Sequence, residues 1–166
     1  MTNGLPELLR PGGPPIGGRQ PEQRPRRTRR RSANALAGVP LFVGLSSKHL
    51  ERLAGEADEL DFTSGQSIVR EGEPGEALFV VLEGQGKVVR GDRTVGSVVP
   101  GDFFGELSAI DGGERTASIV AATPMRVLRL FRRTLTRLIQ DDPQVALKLM
   151  DGMVRRIRQI ERGRKR

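Results

Sequence analysis

A carboxylate and an arginine nine residues apart, Glu106 and Arg115, bracket a glycine pair in the stretch FFGELSAIDGGERTAS, residues 103–118. Residues 106–110 have the composition of a single helical turn, which Gly112 and Gly113 bring to an end. So short a helix leaves its first backbone N–H groups unpaired and aimed past its N-terminus, where they make a donor set for an anion. Arg115 returns across the glycine turn and can add its planar fork of donors, with the Thr116 hydroxyl beside it. A carboxylate repels a lone phosphate. Glu106 makes sense if the ligand carries a hydroxyl next to its anion, as a ribose 2′-OH does. These residue types ask for a sugar joined to a phosphate. A polyphosphate would call for lysine and a metal, and the chain has no GxxxxGK[ST] pattern.

Short strands must hold that loop. From Glu59 to Leu130 apolar runs alternate with turn signals at EGEPGEA, EGQG, RGDR and VPGD, which predicts strands over 67–70, 78–82, 87–89, 95–98, 118–121 and 126–130. Evenly spaced short strands favour an antiparallel roll, barrel or sandwich. Before them a helix should start at Ser46 or Ser47, with Leu50, Leu53, Ala54 and Ala57 on one face. After them a helix is expected over 131–140, and another from Asp142-Pro143 to about Arg162. In the last helix Ala146, Met150, Met153, Ile157 and Ile160 recur at coiled-coil spacing. Such a seam either lies on its own domain or pairs with a second copy. Gly152 interrupts it at about 1 kcal/mol relative to Ala.

Composition narrows the function. The 166 residues contain no Cys and one His, so no thiolate or histidine metal centre can be assembled, and no nucleophile-and-base set is visible. No apolar run approaches the ~20 residues that span a bilayer, and no signal pattern opens the chain, so a cytoplasmic protein is expected. The net charge of +8 is unevenly placed. Eight arginines and two glutamates in residues 1–33 give that segment +6, residues 155–166 carry another +6, and the body between is acidic. The Pro-, Gly- and Arg-rich residues 1–33 are expected to be a disordered tail. Residues 34–162 would form one domain, with the roll at about 59–130, helices at 131–162 and a basic end at 163–166. The basic termini suit a polyanionic or protein partner.

FGELSAIDGGERTAS resembles the phosphate-binding cassette of cyclic nucleotide-binding domains, the module of the bacterial cAMP receptor protein and of protein kinase A regulatory subunits. VPLFVGLSSKHLERLA is similar to the family's helical lead-in, and GEPGEALFVVLEGQGKV to the strands before the cassette, so the resemblance covers about residues 36–162. It implies a mainly β fold with flanking α, an antiparallel β-roll with short N-terminal helices, a cassette helix and a C-terminal helix. It implies that Glu106 takes the ribose 2′-hydroxyl. Arg115 would take the cyclic phosphate, with Thr116, Gly105, Ala117 and the backbone N–H groups of Leu107 and Ser108 around it. The purine would meet Ile157 and Ile160 of the terminal helix. Where the bacterial receptor continues into a helix-turn-helix, this sequence stops at Arg166, so a DNA-binding domain is not expected. It also lacks that receptor's late hydroxyl residues.

The reading is a non-enzymatic sensor of cAMP, with cGMP second, that signals through its C-terminal helix, which either pairs as a homodimer or presents the basic end to a partner. It needs no metal. The alternative is a nucleic-acid- or protein-interaction module that uses its basic termini, with a degenerate roll that binds nothing.

Overall fold

A computed structural model describes residues 22–23 and 29–164. The elements run β1 (Glu22–Gln23), α1 (Arg29–Ala37), a 3-10 turn (Pro40–Phe42), α2 (Ser47–Glu56), β2 (Asp58–Phe62), β3 (Ser67–Val69), β4 (Ala77–Glu83), β5 (Gly86–Arg90), β6 (Arg93–Val98), β7 (Phe103–Phe104), α3 (Glu106–Asp111), β8 (Ser118–Ala121), β9 (Met125–Phe131), α4 (Arg132–Asp141) and α5 (Gln144–Arg164). The strands form two antiparallel sheets, one ordered β1-β2-β9-β4-β7 and the other β3-β8-β5-β6. This is the expected β-roll with flanking helices.

Alternation along β4 builds two cores. Ala77, Phe79 and Val81 face the space between the sheets with Leu60, Phe62, Ile119 and Val127. Leu78 and Val80 face the other way, into a layer with Leu36, Phe42, Leu53, Leu138 and Leu149 from the helices. A strand buried on both faces reads as the unbroken apolar run ALFVV, and β4 is one. β2 carries DELDF instead, and its acids are matched across the ladder. Asp58 and Asp61 lie opposite Arg129 and Arg126 in the register with β9. Arg129 Nη2 stands 2.8 Å from Asp58 Oδ2, and Arg126 Nε stands 2.9 Å from Asp61 Oδ1. Cross-strand pairs of this kind let charged positions join a sheet.

The Ser46 hydroxyl caps α2 by accepting from His49 N at 3.2 Å. Asp142 Oδ1 accepts from Gln144 N at 3.2 Å, and α5 begins at Gln144, after Pro143. Most of the expected 1–33 tail lies outside the described residues. The boundary at residue 34 moves, because α1 starts at Arg29 and buries Ala33 along with Leu36. The Glu22–Gln23 pair also lies on the edge of β2.

α5 is laid on its own domain, and the seam expected along it divides. Val145, Leu149 and Gly152 are buried, while Met153 and Arg156 are half-buried. Met150, Ile157 and Ile160 face solvent, with Leu147 and Val154 beside them. The phase of the helix is set at Gly152. A Cβ there would stand 2.6 Å from both Cα and O of Leu41, so only glycine lets α5 lie this close to the 3-10 turn. That close approach is what the glycine's unfavourable helix propensity makes room for.

Candidate functional site

The strand-to-helix corner after β7 holds the cassette. Gly105, the residue before α3, has φ 79°, a left-handed conformation suited to glycine. A Cβ at this position would also run into the Arg115 guanidinium. α3 then runs for one and a half turns, and Gly112 closes it in a second left-handed conformation while its N–H donates to Ser108 O at 2.8 Å. The N–H groups of the first turn, Leu107 and Ser108 among them, have no acceptor within so short a helix.

The EGEPGEA loop braces the returning chain. Arg115 N donates to Glu73 O at 2.9 Å, Gly72 N to Arg115 O at 2.9 Å and Gly75 N to Gly113 O at 3.2 Å. The two loops thereby form one double-stranded lip. Ser108 Oγ donates to Glu114 O at 3.3 Å across the base of the turn.

Arg115 is 8% exposed, with Nη1 donating to Ala77 O at 2.8 Å and to Gly105 O at 3.1 Å. Its guanidinium also sits 5.6 Å from the centre of the Phe79 ring. Burial pushes its pKa down from the ordinary arginine range, and the nearby charge of Glu106 pushes it back. None of the ion pairs among the described residues includes Arg115. It is a buried cation held by neutral carbonyls, with donors to spare.

Glu106, its side chain only 12% exposed, is paired with Arg156 of α5, whose Nε stands 3.4 Å from Glu106 Oε1. Arg156 also lies 4.3 Å over the Phe103 ring. α5 is thus tied to the cassette at the carboxylate. At the other end of α3, Arg132 Nε of α4 donates to Ile110 O at 3.3 Å, a cation at a helix C-terminus.

These groups open on a cavity of about 400 Å³, within the size range of small-ligand sites. Gly105, Glu106, Ser108, Arg115, Thr116 and Ala117 of the expected set line it, as does Ile160. Ile157, the other purine contact expected, is 53% exposed and lies outside this lining. Arg156 and Ile160, one turn apart, form the α5 side of the wall, and Ile157 stands about 100° further round the helix from Arg156. Sequence reasoning also missed Arg90, Ser97 and Phe103, which belong to other strands. The alternation of Val88 and Arg90 along β5 was the signal that could have placed Arg90 on the inner face.

A roll around a buried arginine, with a carboxylate at the pocket edge, defines a small-ligand-binding domain suited to an anion that bears a hydroxyl. The profile of the cyclic nucleotide-binding domain matches residues 59–142, half of the chain, and the chain belongs to that family. It is 32% identical over 128 residues to a CRP-like cAMP-activated global transcriptional regulator of Mycobacterium tuberculosis, covering 74% of this chain and 57% of that protein. The chain therefore spans less than two thirds of that relative's length. Among solved structures, the N-terminal domain of a transcriptional regulator from Streptomyces coelicolor superposes with TM-score 0.68 at 32% identity, over 78% of this chain and 93% of that one. The regulatory domain of Toxoplasma gondii PKA, crystallised with cAMP, gives TM-score 0.67 at 26% identity, over 79% and 50%. No helix among the described residues is long and apolar enough to cross a membrane.

Proposed function

We propose that the protein is a non-enzymatic sensor that binds cAMP in the roll and signals through α5. The observation that carries this reading is Arg115, a buried cation that none of the ion pairs among the described residues includes, facing a cavity edged by Glu106. A buried charge of this kind is costly unless an anion completes it. The cyclic phosphate supplies that anion to Arg115, and the ribose hydroxyl donates to Glu106. A cAMP-activated relative and a structural neighbour crystallised with cAMP favour adenine as the base.

Signalling follows from the contact that Glu106 already makes. A hydroxyl donating to Glu106 meets a carboxylate shared with Arg156, so ligand and α5 act on one residue. The free face of α5 then carries the output. Leu147, Met150, Val154 and Ile157 recur at 3, 4, 3 and are about half exposed. Asp151 and Arg158 flank this stripe on one side, Ala146, Met153 and Ile160 on the other, so over residues 146–160 two parallel copies bring no like charges together, and like charges meet only where the stripe runs on to Glu161. We take a second copy as the occupant of the stripe. The basic side of the same helix, with Arg155 and Arg162, is left to an acidic partner.

Thermal unfolding tests the ligand. cAMP at a hundred times its Kd stabilises the folded state by about 2.7 kcal/mol, which for a chain of this size raises Tm by roughly 5–10 °C. An unchanged Tm in millimolar cAMP and cGMP would leave the roll as a scaffold and return the function to the basic termini.

A further inference from the structure

Two glycines lie against the Arg115 side chain, for different reasons. Gly105 has a left-handed φ, so its own backbone accounts for it. Gly75, in the loop before β4, is buried and is not among the glycines with positive φ. Its backbone would accept an alanine; Arg115 would not. A Cβ on Gly75 would meet Nε, Cζ and Cδ of Arg115 before any other atom, well inside van der Waals contact. Both terminal nitrogens of Arg115 lie further from it than these three atoms. The methyl would therefore stand over the flat of the guanidinium and not at its N–H edge.

The missing side chain forms a seat. The flat of the guanidinium rests on Gly75, and the two hydrogen bonds it makes among the described residues, to Ala77 O and Gly105 O, both leave from Nη1. The edge formed by Nε and Nη2 stays open to an anion that takes two parallel N–H bonds. The seat cannot step back. Arg115 N donates to Glu73 O, Gly72 N to Arg115 O and Gly75 N to Gly113 O, so the loop is bonded to the backbone of the residue whose side chain it carries. Pro74 and Glu114 form a bridge between the same two segments. A methyl added at Gly75 must move the side chain instead, and the guanidinium yields only by leaving its two carbonyls.

We propose that Gly75 is a positioning residue for the anion site, holding the Arg115 fork at the ligand by having no side chain of its own. The proposal rests on the cyclic nucleotide reading for the identity of the anion. It goes beyond that reading in making the loop before β4, and not the cassette alone, set the affinity for the phosphate.

The test is a double-mutant cycle in the full chain, from wild type, Gly75→Ala, Arg115→Ala and the pair together. Each protein is titrated with cAMP by calorimetry and unfolded in urea without ligand. Gly75→Ala is expected to weaken cAMP about tenfold, the low end of an overpacking effect, and to shift the Arg115 Nε–H resonance of the ligand-free protein. It lowers the urea midpoint in the wild-type background. In the Arg115→Ala background, where the methyl has room, it leaves the midpoint unchanged or raises it. Should Gly75→Ala fail to fold, the pair must still fold, because removing the guanidinium removes the overlap. Wild-type affinity in Gly75→Ala overturns the proposal. So does an equal fall of the urea midpoint in both backgrounds, or a pair that fails to fold where Arg115→Ala folds. If wild type binds no cyclic nucleotide, the sensor reading falls, and the unliganded cycle still decides whether Gly75 seats Arg115.

Discussion

Glu106 is the residue on which the two functions of the site converge, because its one carboxylate faces the cavity and also holds Arg156. If it accepts from a ribose hydroxyl, Glu106→Gln weakens cAMP by about tenfold, the loss of one charge-assisted bond. The same change costs 2′-deoxy-cAMP little, since the donor is already gone. Equal losses for both ligands, read by calorimetry, would make Glu106 a structural partner of α5 only. At this scale the cassette was largely legible. Glu106, Ser108, Arg115 and Thr116 lie within one loop and one short helix, so spacing alone brings them together. Arg90 and Arg156 were not legible as wall residues, because strand pairing and helix docking bring them in from 25 residues before Arg115 and 41 after it.

Elements were legible where burial is one-sided or total, as in α2 and β4, and less so where charge or glycine does the positioning. β2 reads as a polar segment until Arg126 and Arg129 of β9 are set opposite its acids. α1 reads as the end of an arginine-rich tail, yet Ala33 and Leu36, one turn apart, fasten it to the helical core. The clearest case is α5. Its apolar residues support more than one stripe, and a glycine gives no apolar signal to choose between them. The backbone of Leu41 makes the choice at Gly152. Gly152→Ala improves helix propensity by about 1 kcal/mol, yet the added methyl overlaps backbone that cannot step aside. The expected outcome is a net destabilisation of about 1–3 kcal/mol in urea unfolding, with loss of hydrogen-exchange protection in the first half of α5. A variant as stable as wild type would show that α5 is not seated on the 3-10 turn.

The whole molecule is a roll whose cavity-facing cassette is gripped from two sides, by Arg156 of α5 at its start and by Arg132 of α4 at its end. A ligand shifts α5 only if it favours one arrangement of that helix over the other. Saturating cAMP is therefore expected to change hydrogen-exchange protection along 144–164, well beyond the cassette. Identical exchange with and without nucleotide would make the domain a passive binder. Pairing of two copies through Leu147, Met150, Val154 and Ile157 predicts a dimer in sedimentation velocity, reduced to monomer by Val154→Glu with the cAMP affinity retained. A wild-type chain that sediments as a monomer at 100 micromolar, roughly the weak end of specific association, would remove the second copy as the occupant of that face. All of this depends on the ligand reaching Arg115. The most direct measurement is calorimetric titration of cAMP into the wild-type chain and into Arg115→Ala, with unfolding curves to show that both are folded. Losing the buried cation should cost about 3 kcal/mol, a hundredfold or more in Kd, beside clear binding by wild type. A folded Arg115→Ala protein that binds cAMP as tightly as wild type would contradict the account.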